Sequence, residues 1–211
     1  MHLHTWLAAA RLRRCQQRAK VNSLRHAPVR TQFIAINQNQ SRHARFYFWL
    51  FIAGFCTFIL HEAAHWAMGS ILGYDMEARL NAVRATTAVL PFHQALIDAA
   101  GPLATILQAV VAFAIAMRYR SNTAFVFIYM AAFMRLLASG VSIFNLNDEA
   151  RLSVYFRLGI WTLPALVSSA LLILTWRASR HLTLTWKEHL LCYLTASVSI
   201  SLVVGIDRFV F

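Results

Sequence analysis

A pair of histidines in a long apolar stretch is the part of the sequence best suited to chemistry. The segment His61-Glu62-Ala63-Ala64-His65 places two histidines four residues apart. On an α-helix both imidazoles then lie on one face and can bind a single metal ion. Glu62 lies about 100° around the helix, where it can take a proton from a metal-bound water. The pattern predicts a zinc site with His61 and His65 as ligands and Glu62 as general base.

The composition places this segment in a membrane protein. Of the 211 residues, 59% are hydrophobic and 13% are charged, with a mean hydropathy of +0.53, whereas soluble domains carry about 25% charged residues. A glutamate and two histidines inside a membrane span are costly, so they are expected to face a partner or water. The alternative is that they hydrogen-bond to neighbouring helices or lie near the interface.

The helices that must position this site are predicted from five long apolar stretches. Each is long enough to cross about 30 Å of hydrocarbon at about 1.5 Å per residue. They are Phe46–Leu72, Ala95–Met117, Thr123–Phe144, Leu152–Trp176 and Glu188–Val204. The sequence therefore predicts an all-α membrane protein with about five transmembrane helices, in which residues 46–211 form one polytopic domain. Within the polar connection Gly73–Gln94, the run Thr86–Leu90 is expected to form a short strand or a re-entrant segment.

Residues 1–45 differ from the rest because they hold nine of the 20 Lys and Arg residues and no acid. They are predicted to form a basic tail in the cytoplasm or on the membrane surface, in which Trp6–Val21 can be an amphipathic helix before a break at Pro28. An organelle transit peptide is the alternative, and no cleaved secretory signal is predicted. The basic residues favour contact with the lipid bilayer over nucleic acid.

The distribution of charge predicts the orientation. With the tail and the connections after the second and fourth spans on one side, that side carries fourteen Lys and Arg residues and the other side four. The positive-inside rule then places the N-terminus in the cytoplasm. His61 begins about 15 residues into its span, roughly 22 Å at helical rise, so this orientation puts the site toward the outer face.

A zinc site of this kind needs a third protein ligand and an open position for water. The acids and histidines on later segments that could supply the ligand are Asp98, Asp148, Glu149, His93, His189 and Asp207. Asp148 is favoured because it lies in a polar break between two apolar stretches, with Glu149 as the reserve. Asn147 or Asp148 is also expected to cap the following helix, with Glu149 in its first turn.

These features together resemble the site-2 protease family of intramembrane zinc metalloproteases. The resemblance rests on His61–His65 within a span, on Ala99–Ala104 (Ala-Ala-Gly-Pro-Leu-Ala) opening the next span, and on Asn145–Asp148 after a third. It covers roughly residues 46–160 and implies a three-helix metalloprotease core.

The resemblance also implies a zinc cofactor and a set of roles. His61, His65 and Asp148 would be the ligands, Glu62 the catalytic base, and a transmembrane protein the substrate. In that family the aspartate is usually followed by glycine and its turn often contains proline. Here Glu149 follows Asp148 and no proline lies near Asn145. Glu149 and Asn145 are therefore kept as reserve ligands or as residues that contact the metal ligands.

Other polar residues in the apolar segments are expected to have structural roles or to contact substrate. Arg135, midway through the third span, is expected to pair with Asp98 or Glu62, or to contact substrate. Asp98 is expected to lie at the interface. Gly101-Pro102 is expected to start or kink the second helix and to let it pack against the first.

Two other functions compete with a protease. A membrane di-iron oxygenase needs several histidine boxes, but outside the tail the chain has only five histidines, which are His61, His65, His93, His181 and His189. The alternative retained is a catalytically inactive, protease-like membrane scaffold or a metal-binding membrane protein. Glu62→Gln distinguishes them, since a hydrolase should keep its zinc and lose turnover whereas a carrier should tolerate the change.

Overall fold

A computed structural model describes the backbone of residues 29–210 and the side chains of residues 44–210. This part of the chain consists of six α-helices and one two-stranded antiparallel hairpin. Residues from Phe46 onward form one compact unit, and the predicted helix Trp6–Val21 lies outside the described residues. The elements are α1 (Val29–Ile71), β1 (Met76–Ala78), β2 (Val83–Ala85), α2 (Pro91–Tyr119), α3 (Asn122–Val141), α4 (Asp148–Tyr155), α5 (Thr162–Leu182) and α6 (Trp186–Val210).

Five of these helices are long and apolar enough to cross a membrane. They are α2, α3, α5 and α6, together with the part Ala44–Ile71 of α1. The predicted all-α membrane class is therefore confirmed. Helix α2 begins at Pro91, four residues before its predicted start, because proline at the first helical position loses no hydrogen bond and already has a helical φ.

The predicted fourth span, Leu152–Trp176, is present but begins ten residues later than predicted, at Thr162, and ends at Leu182. The chain forms the short helix α4, turns, and begins α5 at Thr162. Arg157 and Gly159 adopt positive φ values of 57° and 83°, a left-handed backbone that cannot continue a helix. The Ser153 hydroxyl ties the turn together by donating to the Gly159 carbonyl and accepting from the Leu163 amide. Because of this break, α4 is separate from the spanning helix α5, and its position is determined by its own contacts.

Of the two alternatives predicted for Thr86–Leu90, the strand is wrong, and the re-entrant segment stays a prediction. The strands lie just before it, with Met76 opposite Ala85 and Ala78 opposite Val83. Thr86 adds one further backbone bond, from its amide to the Asp75 carbonyl at 3.0 Å. Leu90 precedes Pro91 and therefore favours an extended backbone. Helix α2 begins directly after it, at Pro91.

Gly101 and Pro102 lie inside α2 and do not start it, which corrects one of the two predicted roles. The other role, close packing, agrees with the structure. The buried positions of α2 are mostly small, among them Ala95, Ala100, Ala109, Ala112 and Ala116. Small residues on one face let helices approach closely in a membrane, where packing rather than water exclusion holds them together.

The apolar core packs around the parts of α1 and α3 that precede His61 and Arg135, and it extends as far as Phe58, three residues before His61. Leu50 from α1, Phe125, Ile128 and Met130 from α3, and Val203 from α6 are all completely buried there. Since α1 and α3 both run from this core toward the histidines, their second halves are positioned by a well-packed first half.

Candidate metal centre

Three residues predicted as ligands meet at one point. The Nε2 atoms of His61 and His65 are 3.1 Å apart, and Asp148 Oδ2 lies 3.0 Å from the first and 3.5 Å from the second. His61 is 3% exposed and His65 7%. Among the described residues, these three form the one group of His, Cys, Asp or Glu side chains arranged to hold a metal ion. The sequence places them on two helices separated by more than eighty residues, and the fold brings them together.

The outer nitrogens of both rings have partners that fix which nitrogen carries the proton. His65 Nδ1 lies 2.6 Å from the Ile97 carbonyl, which can only accept, so Nδ1 is the donor. His61 Nδ1 lies 3.2 Å from the Thr105 hydroxyl, whose own hydrogen is donated to the Gly101 carbonyl. His61 Nδ1 is therefore a donor as well. In the neutral rings both Nε2 atoms are left as unprotonated acceptors that face Asp148.

Three acceptor atoms that converge without a hydrogen between them repel one another, and a shared metal ion would relieve that repulsion. A proton can join only two of them, whereas a metal ion bonds to all three. With bonds of about 2.0–2.2 Å, the ligand atoms of a tetrahedral zinc lie about 3.3–3.6 Å apart, close to the separations of 3.0, 3.1 and 3.5 Å here. Metal-binding histidines usually donate their other nitrogen to a carbonyl or similar acceptor, as both do here. The donor set fits zinc, with one position left open.

Gly101 makes the close approach of α2 to the two imidazoles possible. A Cβ atom at this position would lie 2.7 Å from His61 Nδ1 and nearer still to His65 Nε2. Real Cβ atoms do not come this close to their neighbours, so no other residue fits without moving the rings. One turn before and after it, Ile97 and Thr105 supply the acceptors for those rings, which places a three-residue stripe of α2 beneath the histidines.

Asp148 is held at the N-terminus of α4. Asn147 is the cap, since its side chain accepts from the Ala150 amide at 2.8 Å. The predicted cap is thus confirmed at Asn147, which leaves the Asp148 carboxylate free to face the histidines. Arg151 Nη2 donates to Asp148 Oδ1 at 2.7 Å, and Arg135 Nη1 lies 3.5 Å from Oδ2. Two guanidinium groups therefore favour the ionised carboxylate.

The reserve ligands have other contacts. Glu149 is 2% exposed, and its two oxygens accept from Arg135 Nη1 at 3.0 Å and from Asn147 Nδ2 at 2.7 Å. Asn145 lies in the turn between α3 and α4, where its amide donates to the Val141 carbonyl. Glu149, which follows Asp148 directly, therefore anchors a buried arginine.

The expected pairing of Arg135 is corrected. Arg135 contacts Glu149, and Asp148 Oδ2 at 3.5 Å, instead of Asp98 or Glu62. Asp98 is 4% exposed and accepts from Gln94 and from Arg151, while its expected position at the membrane interface stays a prediction. The reason is the position of α4, which brings Glu149 against α3 and Arg151 against α2.

The remaining candidate ligands have partners elsewhere. His93 Nδ1 lies 2.9 Å from the Tyr74 hydroxyl, and His189 Nε2 lies 2.6 Å from the Ser179 hydroxyl. Asp207 accepts from the Asn81 amide, which ties α6 to the tip of the hairpin. None of the three joins the group formed by the two histidines and Asp148.

Glu62 lines a cavity next to the helical turn that carries the two histidines. A space of 260 Å³ is lined by Glu62 with Ile59, Ala63, Trp66, Ala78, Arg79 and Leu80, and so lies between α1 and the hairpin. Within the part of the chain described, no hydrogen bond or ion pair occupies the Glu62 carboxylate. Glu62 therefore borders open space, whereas His61 and His65 on the same helix face Asp148.

Two residues of the site were not predicted from sequence. Thr105 belongs to the stripe Ile97, Gly101 and Thr105, whose spacing of four is a signal that could have identified it. Arg151 was counted only as a charge for orientation, although its position three residues after Asp148 places it on the same helical face.

Comparison of the chain with family models, with curated proteins and with solved structures finds no significant match. The functional proposal is therefore based on the geometry of the site and on its place among membrane-spanning helices.

Proposed function

We propose that this protein is a zinc-dependent intramembrane endopeptidase that cleaves a transmembrane or membrane-proximal peptide bond. The observation that carries the proposal is the convergence of His61, His65 and Asp148 as three acceptor atoms about 3.0–3.5 Å apart. Glu62, next to one ligand in the chain and free of other partners, supports hydrolysis rather than metal storage. The long apolar helices around the site support a membrane substrate.

The chemistry divides between the metal and the chain. Zinc, when bound, supplies Lewis-acid polarisation of the scissile carbonyl and lowers the pKa of water to about 7. Glu62 takes the proton of the attacking water and delivers it to the nitrogen of the leaving amine, so that the C–N bond breaks. The zinc ion would be bound by His61, His65 and Asp148, which fixes the place of the reaction. The hydrogen bonds to Ile97 and Thr105 keep both imidazole rings oriented.

The cavity beside Glu62 is consistent with an extended substrate. Its lining is mainly apolar, and it is bordered on one side by the hairpin. A helical substrate shields its amides by internal hydrogen bonds, so it must unwind before hydrolysis, and unwound backbone is tolerated in a membrane only where protein or water satisfies it. A cavity between a helix and a hairpin offers such a place.

The test compares zinc content and peptide cleavage in the detergent-purified full chain. Wild type and Glu62→Gln are each expected to bind close to one zinc per chain, and only wild type should cleave a membrane-inserted reporter peptide carrying a fluorophore and a quencher. Asp148→Ala should lose both zinc and cleavage. Asp75→Ala, an exposed acid after α1, is the matched control and should behave as wild type.

Two results would count against the proposal. A folded wild type without zinc would leave the histidines structural and would rule out a metalloprotease. Zinc binding with equal reporter cleavage in wild type and Glu62→Gln, or with none in either, would favour the alternative of a metal-binding scaffold. Loss of zinc in Glu149→Ala but not in Asp148→Ala would instead reassign the third ligand.

A further inference from the structure

Arg151 connects the candidate ligand Asp148 to a second buried acid. Its Nη2 atom lies 2.7 Å from Asp148 Oδ1 and 2.9 Å from Asp98 Oδ1, and its Nε lies 3.0 Å from Asp98 Oδ2. Its Nη1 donates to the Leu146 carbonyl. All three nitrogens of the guanidinium are therefore bonded, although 43% of the side chain is exposed.

The two oxygens of Asp148 have different partners. Oδ2 faces both histidine Nε2 atoms, whereas Oδ1 accepts from Arg151. A carboxylate can bind a metal through one oxygen or through both, and the second mode would fill an additional coordination position. The hydrogen bond from Arg151 engages the oxygen that the second mode would need.

Asp98 fixes the position of Arg151 relative to the histidines. The contact between Arg151 and Asp98 uses two parallel hydrogen bonds, the geometry in which a guanidinium holds a carboxylate most rigidly. Asp98 follows Ile97, whose carbonyl accepts from His65 Nδ1 at 2.6 Å. A chain of contacts thus runs from His65 through this turn of α2 and through Arg151 to Asp148, and it closes at the Asp148–His65 contact of 3.5 Å.

We propose that Arg151 is a positioning residue that keeps Asp148 a one-oxygen metal ligand, with Asp98 as its anchor on α2. The inference rests on the proposed metal centre and adds a reason for its open position. With Oδ1 engaged by Arg151, the chain contributes three ligand atoms, and the fourth position remains for water or substrate, as catalytic zinc sites require. A merely structural ion pair would stabilise α4 against α2 without affecting the coordination number.

The test measures coordination directly, in the full chain loaded with Co²⁺ or Zn²⁺. Four-coordinate Co²⁺ absorbs visible light more strongly than five-coordinate Co²⁺, so its spectrum reports how many atoms bind. In Arg151→Met, Oδ1 is released, and the spectrum should change from the four-coordinate to the weaker five-coordinate form. Zinc affinity, measured by competition with a chelator, should fall by about 10–100-fold, the usual effect of removing an outer-shell partner.

Three variants make the result specific. Arg151→Lys keeps one donor and should restore most of the wild-type spectrum. Asp98→Asn keeps Arg151 but weakens its anchor, so it should give a spectrum between those of wild type and Arg151→Met. Arg118→Met removes an exposed arginine that lies over the Tyr119 ring, and its spectrum and affinity should equal those of wild type.

An unchanged Co²⁺ spectrum in folded Arg151→Met would overturn the inference, even if affinity fell, because Asp148 would then keep its geometry without the arginine. If Arg151→Met does not fold, a wild-type spectrum in Asp98→Asn overturns it in the same way. A folded wild type that binds neither metal would instead refute the proposed function, and this inference with it.

Discussion

Two regions of the helix bundle, an apolar end around Leu50 and Ile128 and a polar end around His61 and Arg135, are built from the same helices but are held together by different interactions. Helix α1 contributes Leu50 to the apolar core and His61 to the candidate centre, and α3 contributes Ile128 to one and Arg135 to the other. Both ends are almost completely buried. The apolar end is held by many interchangeable contacts, whereas each polar group at the other end has a few specific partners.

The difference predicts how each end responds to change. In an apolar core, dispersion is shared among many atom pairs, so a small loss of volume costs little. In a buried polar cluster, removing one partner leaves the other unsatisfied at a cost of about 1–3 kcal/mol or more. The candidate centre should therefore be sensitive to single atoms, and the apolar core tolerant of them.

The largest effect should come from adding a methyl group at the polar end. Gly101→Ala places a Cβ against both imidazoles, so it should abolish zinc binding and lower the free energy of unfolding by about 1–3 kcal/mol through overpacking. Zinc content and thermal unfolding in detergent would measure both. Gly140→Ala in α3 is the matched control, because a Cβ there meets nothing within 4 Å. It should keep its zinc and gain roughly 0.5–1 kcal/mol.

A smaller effect should follow from removing one hydrogen bond. Thr105→Val keeps the shape of a completely buried side chain but leaves His61 Nδ1 without its acceptor. Zinc affinity should fall by about 10–100-fold, and Thr105→Ser should recover most of it. Equal affinities in wild type and Thr105→Val, measured by chelator competition, would mean that His61 is oriented by packing alone.

The smallest effect should come from the apolar end. Ile128→Val removes one buried methylene and should lower the free energy of unfolding by about 0.5–1.5 kcal/mol. Its zinc affinity should stay at the wild-type value, because no atom of Ile128 belongs to the polar cluster. A loss of zinc comparable to that of Thr105→Val would show that the two ends are coupled, and the contrast between them would fail.

The sequence predicted the parts of the site that depend on local spacing. His61, Glu62 and His65 follow from one helical turn, and Asp148 follows from a polar break between apolar stretches. The partner of Arg135 was not predictable, because Asp98, Glu62 and Glu149 all offer a carboxylate. Only the position of α4 determines which of them lies next to the arginine. That position depends on the turn at Gly159, which an apolar count over Leu152–Trp176 overlooks.

Four of the five spans were predicted to within six residues at each end, because length and hydropathy define them, whereas the fourth was predicted to start ten residues too early. The orientation of the N-terminus and the side to which the centre opens remain predictions from charge alone. Reporter fusions at the two ends of the chain would test them, and a cytoplasmic C-terminus would refute the charge-based topology.

Gly101 also has a consequence for motion. Its neighbours one turn away on the same stripe, Ile97 and Thr105, carry side chains, so sliding α2 by a turn along α1 would drive one of them into the imidazoles. The contact therefore opposes sliding of α2 along α1. Opening is expected where no such contact holds the elements together, and the hairpin is such a place because the cavity separates it from Glu62. Access to Glu62 is thus expected beside the hairpin rather than between α1 and α2.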